Sequence, residues 1–403
     1  MKHFTVIRSL LALNAVVVVL FLSSCNAGQA TIGSAEQALF SQAPGSPIAV
    51  AGGPGNVCMG DINNDRKPDL VVASGETRSI TVLLGVGNGQ FRASAAGAIT
   101  LPDSPGDMAL GDLNGDGNLD SAFVTHDSYG VTILLGDGRG GLALAPNSPI
   151  MMKEGQHPHT HGLGIGDLNG DGKPDLATVN NADNDVSIAF GDGRGGFTHA
   201  PGSPFAVGPS PYPLALGDIN NDGRLDIVAT ASATGPARAQ QLSLSRALTL
   251  LVADGRGQFR TSQTPLRTGE PWFVAIGDIN GDHKADLVAT HHERNELTVL
   301  LSNGKGQFTE VDGSPFNLGR NLLQLALADV NRDSKTDVIA ATGAGVLVLV
   351  GDGRGSFTQA QGSPYLTGKG AWHLAIGDLN TDGKIDVVTT NVDGNSVSVL
   401  LGR

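Results

Sequence analysis

Short apolar runs alternate with polar turns along the chain from residue 40 onward. Residues 214–217 and 274–277 are two such runs, and each leads through a polar loop to a second apolar run. A third run alternates with period two, as at residues 131–135, and a turn rich in Gly and Asp leads to a fourth run. Such alternation between Gly, Asp and Asn turns is typical of strands. The pattern predicts four short strands per unit and no long helix.

The unit repeats along the chain. One nine-residue stretch, Asp-x-Asn-x-Asp-x-x-x-Asp, recurs at intervals of 49–60 residues, and we call it the Asp phrase. Its seven copies begin at Asp61, Asp112, Asp167, Asp218, Asp278, Asp329 and Asp378. Four short strands in a repeat of this length are typical of a propeller blade. We therefore predict an all-β fold, a seven-bladed β-propeller of four-stranded blades.

The two ends of the chain complement each other. The last repeat stops after its third strand, at Arg403. The missing piece lies near the other end, where residues 40–47 match residues 197–204 of an internal fourth run. We predict that residues 40–44 supply the outer strand of the last blade and close the ring, which removes exposed sheet edges. The predicted propeller domain is therefore 40–403.

The first residues are typical of an export signal. A basic start is followed by an apolar stretch at residues 9–22 and then by small residues. Residues 22–25 resemble a bacterial lipoprotein signal, which implies cleavage before Cys25 and lipidation of that residue. We expect a lipoprotein signal peptide over 1–24 and the lipidated Cys with a tether over 25–39. The expected location is the cell envelope, at the outer membrane or cell surface, held by the lipid anchor alone; ordinary secretion is the alternative.

Much of the negative charge lies in the repeated Asp phrases. The 403 residues carry a net charge of −13, which disfavours nucleic acid as a partner. Three aspartates in each of seven phrases account for 21 of the 39 acidic residues. Seven divalent cations would turn −13 into +1. The acidity is therefore expected to mark cation sites rather than a uniformly acidic surface, and the 57 glycines fit a fold with many tight turns.

The Asp phrase has the chemistry of a calcium site. Oxygen side chains at alternating positions of a tight loop converge on one point, which suits a hard cation with six to eight oxygen ligands. The alternative is that Asp and Asn are good turn residues, but that does not explain the same four positions in all seven copies. We predict up to seven calcium ions, one per blade. The predicted ligands are Asp61, Asn63, Asp65, Asp69, Asp112, Asn114, Asp116, Asp120, Asp167, Asn169, Asp171, Asp175, Asp218, Asn220, Asp222, Asp226, Asp278, Asn280, Asp282, Asp286, Asp329, Asn331, Asp333, Asp337, Asp378, Asn380, Asp382 and Asp386.

Position 6 of the phrase separates the copies. It is Gly in four of them, where the loop must turn sharply. It is Arg66, His283 and Ser334 in the others, and we expect those three loops to be strained or to bind calcium more weakly.

The phrase and the Gly-Asp-Gly-Arg-Gly-x-Phe turn that follows it resemble the FG-GAP and VCBS repeats. This is the repeat of the integrin α-subunit propeller and of many bacterial exported proteins. The resemblance covers residues 40–403 and implies a β-propeller with calcium in the loop between strands one and two. Nothing in the chain resembles the rest of an integrin, so an adhesive role does not follow from the resemblance.

Histidines and aromatic residues are frequent in the loops predicted at the strand ends opposite the Asp phrases. Seven of the ten histidines fall in or beside the loops predicted there: His126, His157, His159, His161, His291, His292 and His373. Six positions before the phrase, four blades carry a ring, and we expect these rings to form an arc at the channel mouth. The candidate ligand-binding residues are His161, Tyr212, Trp272, Trp372 and His373. The alternative is that these rings only fill the channel.

Two long loops lie on the same side. The connection into the third blade carries His157, His159 and His161 at alternate positions. An extended backbone would put these rings on one side, where they could bind a transition metal, or they have a structural or incidental role. The other long loop runs from Thr234 to Arg246.

Two functions remain open. The first is a monomeric, calcium-stabilised, envelope-anchored binding module, without catalysis, for a glycan or protein on the face opposite the calcium loops. The second is a propeller enzyme that acts on polysaccharide, lyase-like, with His161 and Tyr212 as candidate groups. The chain contains no nucleophile elbow, phosphate loop or HExxH motif.

Overall fold

The computed structural model describes residues 38–232, 246–291 and 294–403. Across these ranges the chain folds into 33 β-strands and no helix, and so contains no helix that could cross a membrane. The predicted signal peptide with Cys25, most of the tether, most of the second long loop and His292 lie outside the described residues.

Most strands belong to a repeating unit of four. The first strands are β3 (Pro54–Gly60), β8 (Pro105–Gly111), β13 (Thr160–Gly166), β18 (Leu214–Gly217), β22 (Pro271–Gly277), β27 (Leu325–Ala328) and β31 (Tyr365–Gly377). The second strands are β4 (Asp69–Ser74), β9 (Asp120–Thr125), β14 (Asp175–Asn180), β19 (Asp226–Ala229), β23 (Asp286–His291), β28 (Asp337–Ala341) and β32 (Asp386–Asn391).

The outer half of each unit follows the same order. The third strands are β5 (Ser79–Gly85), β10 (Gly130–Gly136), β15 (Asp185–Gly191), β20 (Ala247–Ala253), β24 (Glu296–Ser302), β29 (Gly343–Gly351) and β33 (Ser396–Gly402). The fourth strands are β6 (Phe91–Ala93), β11 (Leu142–Leu144), β16 (Phe197–His199), β21 (Phe259–Pro265), β25 (Phe308–Glu310) and β30 (Phe357–Gln359), and β1 (Phe40–Gln42) pairs with β33. Short additional strands pair with third strands: β2 (Ile48–Ala49), β7 (Ile99–Thr100), β12 (Ile150–Met151), β17 (Phe205–Ala206) and β26 (Phe316–Asn317).

Pairing within each unit is antiparallel. Five units form separate sheets of four or five strands. The last two units are joined into one nine-stranded sheet because β29 also pairs with β31. The predicted all-β fold of four-stranded antiparallel units is confirmed, although the joined sheet was not expected from the sequence.

The core lies between neighbouring units. The first strands contact one another in the order β3, β8, β13, β18, β22, β27 and β31, and β31 also contacts β3. Each hydrophobic cluster fills the space between two successive units. One cluster packs Val388 and Val397 of the last unit against Val57 and Leu70 of the first. The side chains at the two ends of the repeat therefore share a core.

The chain ends pair as the sequence predicted. Phe40 lies opposite Gly402, and the register continues through β1. The Ser46 hydroxyl accepts the Val399 amide at 2.9 Å. Ser203 accepts the Ile188 amide at the same distance inside the third unit. Residues 40–47 therefore make for β33 the contacts that residues 197–204 make for β15.

Candidate functional site

Every Asp phrase forms the loop between the first and second strands of a unit, and its ninth residue begins the second strand. These seven ninth-position carboxylates are wholly buried: Asp69, Asp120, Asp175, Asp226, Asp286, Asp337 and Asp386. In each, one oxygen accepts the amide of phrase position 2 at 2.8–3.2 Å. The other accepts an amide at the end of the third strand at 2.7–2.9 Å. The ninth residue therefore ties the loop to the third strand.

Burial of these carboxylates is electrostatically unfavourable. Desolvation, with a smaller contribution from the aspartates at positions 5 and 1, raises their pKa to about 6, and to about 7 for Asp226. The two backbone amides oppose this rise but do not cancel it. A positive charge in the loop would stabilise the ionised form.

The first and third residues fold inward over the loop. In the fifth unit the Asp282 amide donates to Asp278 Oδ1 at 3.1 Å and to Asn280 Oδ1 at 3.0 Å. The His283 amide donates to Asp278 Oδ2 at 2.8 Å. The other six phrases repeat these bonds within about 0.2 Å of the same lengths. The Asn280 bond, to the amide two residues on, is that of an Asx turn, so the turn alternative accounts for this part of the geometry. The Asp278 bonds reach amides four and five residues on and are not part of that turn.

The same loop also fits a calcium ion. Carboxylate oxygens of Asp278, Asp282 and Asp286 lie within 4.8 Å of one another. Oxygens bound to one calcium ion at 2.3–2.6 Å lie at most about 5 Å apart. A carboxylate has about four lone-pair directions, so one that accepts two amides can still bind a cation.

Position 6 adopts left-handed backbone in all seven phrases. Its φ is 77–85° at the four glycines and 69°, 62° and 64° at Arg66, His283 and Ser334. The predicted sharp turn is confirmed, and the three side chains carry the cost of this conformation, about 1 kcal/mol each.

A stack of rings lies at the opposite ends of the strands. Tyr212 stacks on Trp272 with centroids 4.3 Å apart and planes at 17°, and His161 packs on Tyr212 at 4.1 Å. We call these three residues the ring row. Trp272 is only 9% exposed, whereas His161 and Tyr212 are partly exposed. The rings mostly cover one another, so the accessible part of the row is its edge.

Three histidines meet at one end of the ring row. The rings of His126 and His159 are 4.0 Å apart, and each lies within 5.1 Å of His161. Burial, reinforced by the other two histidines, lowers the pKa of His161 to about 3. Burial and His126 also lower the pKa of His159. The rings of His159 and His161 are therefore neutral at physiological pH.

Trp372 and His373 lie apart from the ring row. Trp372 packs against the hydrophobic cluster that includes Phe40, and within the described residues it makes no ring contact with Trp272. His373 is 3.0 Å from the Asn56 amide nitrogen, beside a cavity lined by first strands. Burial lowers the His373 pKa to about 4. The structure therefore brings three of the five candidate binding residues together.

A family model describes the repeat. An FG-GAP-like repeat model matches residues 61–123, 167–229, 284–340 and 329–389, which together make up more than half of the chain.

The chain belongs to the FG-GAP-like repeat family.

One curated relative is a T-cell immunomodulatory protein homolog from Plasmodium yoelii yoelii. It is 30% identical over an alignment of 149 residues, which covers 32% of this FG-GAP repeat protein. The match covers only 20% of the relative, so the chain spans about a fifth of the length of that protein.

Solved structures share the fold at low sequence identity. BBS1N, solved in complex with ARL6DN, gives a TM-score of 0.60 at 11% identity over 91% of this chain and 98% of that chain. A lectin from Agrocybe aegerita, solved for its recognition of non-reducing terminal N-acetylglucosamine, gives 0.53 at 17% identity over 84% and 86%. Virginiamycin B lyase from Staphylococcus aureus gives 0.53 at 11% identity over 86% and 94%. These similarities concern the fold alone.

Two residues near the ring row of this FG-GAP repeat protein were not singled out from the sequence. Asp127 contacts His126 at 2.8 Å, and Asp107 accepts the Gly162 amide at 2.7 Å. His126 was noted among the loop histidines but not as a binding residue. The sequence signal that could have identified it was its position directly after β9, in the loop that joins a second strand to a third.

Proposed function

We propose that this FG-GAP repeat protein is a non-catalytic binding module for a glycan or protein. The observation that carries the proposal is the gathering of His126, His159 and the ring row at the strand ends opposite the Asp phrases. Exposed and partly exposed imidazoles beside a ring edge offer hydrogen bonds and an apolar surface together, as polar ligands require.

The scaffold in this proposal is a closed seven-bladed β-propeller. Two features support closure: β31 contacts β3, and the last and first units share one hydrophobic cluster. The pairing of β1 with β33 would complete the last blade and cover its edge. A closed ring holds the loops on one face at fixed spacing, which suits a recognition surface.

Calcium is part of the proposal as a stabiliser of the scaffold. The four phrase positions would hold up to seven ions, each between a first and a second strand. Support comes from the close carboxylates of Asp278, Asp282 and Asp286, and from the raised pKa of the buried ninth-position aspartates. Metal analysis by mass spectrometry should find several calcium ions per chain, and the absence of any would contradict this part.

The proposed setting is the cell envelope. A lipid on Cys25 would hold a monomeric domain at the outer membrane or cell surface, with secretion as the alternative. Nucleic acid is not among the proposed partners, because even with calcium bound the charge balance gives no support for the basic face that nucleic acid requires. Labelling with a fatty-acid analogue, compared between the natural chain and Cys25→Ala, tests the anchor.

A glycan array and a pull-down with the purified protein test the binding face. The array should include glycans that end in N-acetylglucosamine, since a lectin of similar fold recognises that sugar. His159→Ala and Tyr212→Leu are expected to weaken binding about tenfold or more. His199→Ala is the matched control because His199 is exposed on β16, away from the ring row. Equal losses in the control, or no bound glycan or protein at all, would contradict the proposal.

One contact favours the enzyme alternative. His161 is neutral and packs on Tyr212, so an imidazole base lies beside a phenol. Burial raises the Tyr212 pKa far above its usual value, so the phenol stays protonated. Cleavage of a polysaccharide that is lost in His161→Ala or Tyr212→Phe would replace the binding proposal with a lyase-like one.

A further inference from the structure

We propose that His126, His159 and His161 form a binding site for a divalent transition-metal ion of the zinc class. The site is separate from the Asp phrases and lies at the far end of β9 from its phrase. One ring nitrogen from each of the three histidines lies within 4.8 Å of the other two. We call these residues the histidine cluster.

The ligand set selects the kind of metal. Imidazole nitrogen suits zinc, copper and nickel, whereas calcium takes oxygen ligands. Three histidines without a protein carboxylate in the first coordination sphere leave at least one position for water or an external ligand. The cluster would therefore bind zinc(II) and keep an open position at the surface of the proposed binding face.

One ring nitrogen of the cluster needs a polar partner. Nε2 of His161 is buried and has no hydrogen-bond partner among the described residues. A buried polar atom without a partner is destabilising, because it loses its hydrogen bonds to water and gains none in return. Coordination to a metal would satisfy that atom.

A carboxylate contacts the ring of one histidine in the cluster. Asp127 Oδ1 lies 2.8 Å from His126 Nδ1, which leaves Nε2 of that ring for a metal. A carboxylate on the second ring nitrogen fixes the tautomer and strengthens the imidazole as a ligand.

The backbone around the cluster is held on both sides. The Thr160 amide donates to the His126 carbonyl at 3.1 Å, and the Asn181 amide donates to the His159 carbonyl at 2.7 Å. A register shift in β13 at Gly162, whose φ is +53°, follows His161 directly. Such bulges redirect neighbouring side chains. The cluster therefore sits on a fixed frame rather than on a free loop.

The rings need only a small movement. Zinc with bonds of about 2.0–2.1 Å places tetrahedral ligands roughly 3.3 Å apart, so nitrogens that lie within 4.8 Å of one another would close by at most about 1.5 Å. His126 is exposed and His159 is partly exposed, and rotation of these two side chains supplies that movement.

Calorimetric titration of the full-length protein with zinc chloride tests the site. The protein is first stripped with chelator and then saturated with calcium, so that the Asp phrases do not compete for zinc. We expect one zinc ion per chain at this site. Replacing zinc with cobalt(II) should give the intense visible absorption of a tetrahedral nitrogen complex.

Variants assign the ion to the cluster. His126→Ala and His159→Ala should each weaken zinc binding more than about 100-fold, and Asp127→Asn about 10–100-fold. His157→Ala is the matched control, since His157 belongs to the same loop but not to the cluster, and its affinity should stay within about twofold. His126 is exposed, so its variant should keep the melting temperature of the natural protein in calcium. Absence of zinc binding in calcium, zinc binding that survives the double variant of His126 and His159, or an equal loss in His157→Ala would each overturn the proposal.

Discussion

The pairing of the chain ends should make a large contribution to stability. Phe40 begins β1, is 2% exposed, and packs edge-on against Tyr365 with centroids 5.4 Å apart. It belongs to the cluster that fills the space between the last two units. Phe40→Ala would remove this side chain and leave a cavity beside β33.

The expected loss follows from burial. Truncation of a fully buried Phe to Ala costs about 3–5 kcal/mol. An unfolding entropy of about 2.1 cal/mol/K per residue over roughly 360 residues converts that loss into a melting temperature lower by about 4–7 °C. Ser46→Ala should cost about 1–3 kcal/mol, because it leaves the Val399 amide without its acceptor.

Thermal and urea unfolding in saturating calcium measure these effects. Gln42→Ala is the matched control: it lies in the same strand and is exposed, so its change should stay within about 0.5 kcal/mol. The urea slope should be unchanged in all three variants, which would show that the midpoint reports stability.

One result would refute the reasoning. If Phe40→Ala lowers the melting temperature no more than Gln42→Ala, the side chains of β1 do not stabilise the last unit. The last unit would then be held against the first by the contact between β31 and β3 and by the hydrophobic cluster that the two units share.

Three further predictions concern the phrases and a buried ion pair. Chelation should lower the melting temperature, and the gain on adding calcium should shrink from pH 7.5 to pH 5. The ninth-position carboxylates have folded pKa values of about 6–7, above the ordinary Asp value of 3.8. Without calcium, their favourable contribution to the free energy of unfolding is therefore complete below pH 3.8 and is lost as the pH rises through 6–7. Comparing the melting temperature in calcium with that in chelator at each pH cancels the effect of histidine titration. A calcium-dependent gain that stays constant from pH 7.5 to pH 5 would contradict the prediction. Ser334→Gly should raise the free energy of unfolding by about 0.5–1 kcal/mol, because φ at this position is 64°. A lower free energy of unfolding, measured with urea, would argue against strain at this position. Lys153→Met should cost about 3–5 kcal/mol, since Lys153 Nζ lies 2.9 Å from Asp183 and 2.7 Å from Asp185 in a mostly buried site. Lys67→Met, in an exposed pair, is the control and should cost at most about 1 kcal/mol in the same assay.

Much of the fold could be predicted from local patterns. Period-two alternation specified the strands, and the match of residues 40–47 to residues 197–204 specified the pairing of β1 with β33. The joining of β29 to β31 was not predicted: residues 365–366 pair with β29 as the short strands pair with third strands elsewhere, and here the same strand continues without a break into the first strand of the last unit.

The candidate site divides in the same way. The phrase contains its own turn chemistry, so its position, its left-handed residues and its inward side chains follow from nine consecutive residues. The ring row was predicted in part from equivalent positions in successive repeats. Trp372 fell outside it, because units three, four and five are neighbours, whereas unit six, which separates them from the last unit, carries Leu323 at the equivalent position and so has no ring there.

The sequence by itself determined the repeat, the strands and the loops, because neighbouring residues control backbone conformation and turn geometry. The tertiary structure decided which distant groups meet. It tied each buried ninth-position Asp to the end of a third strand, and it brought His126 to His159 and His161 across two units. The first meeting depends on the pairing of the second and third strands within a sheet. The second depends on the angle between packed sheets, which the side chains of the whole core determine together and no local pattern records.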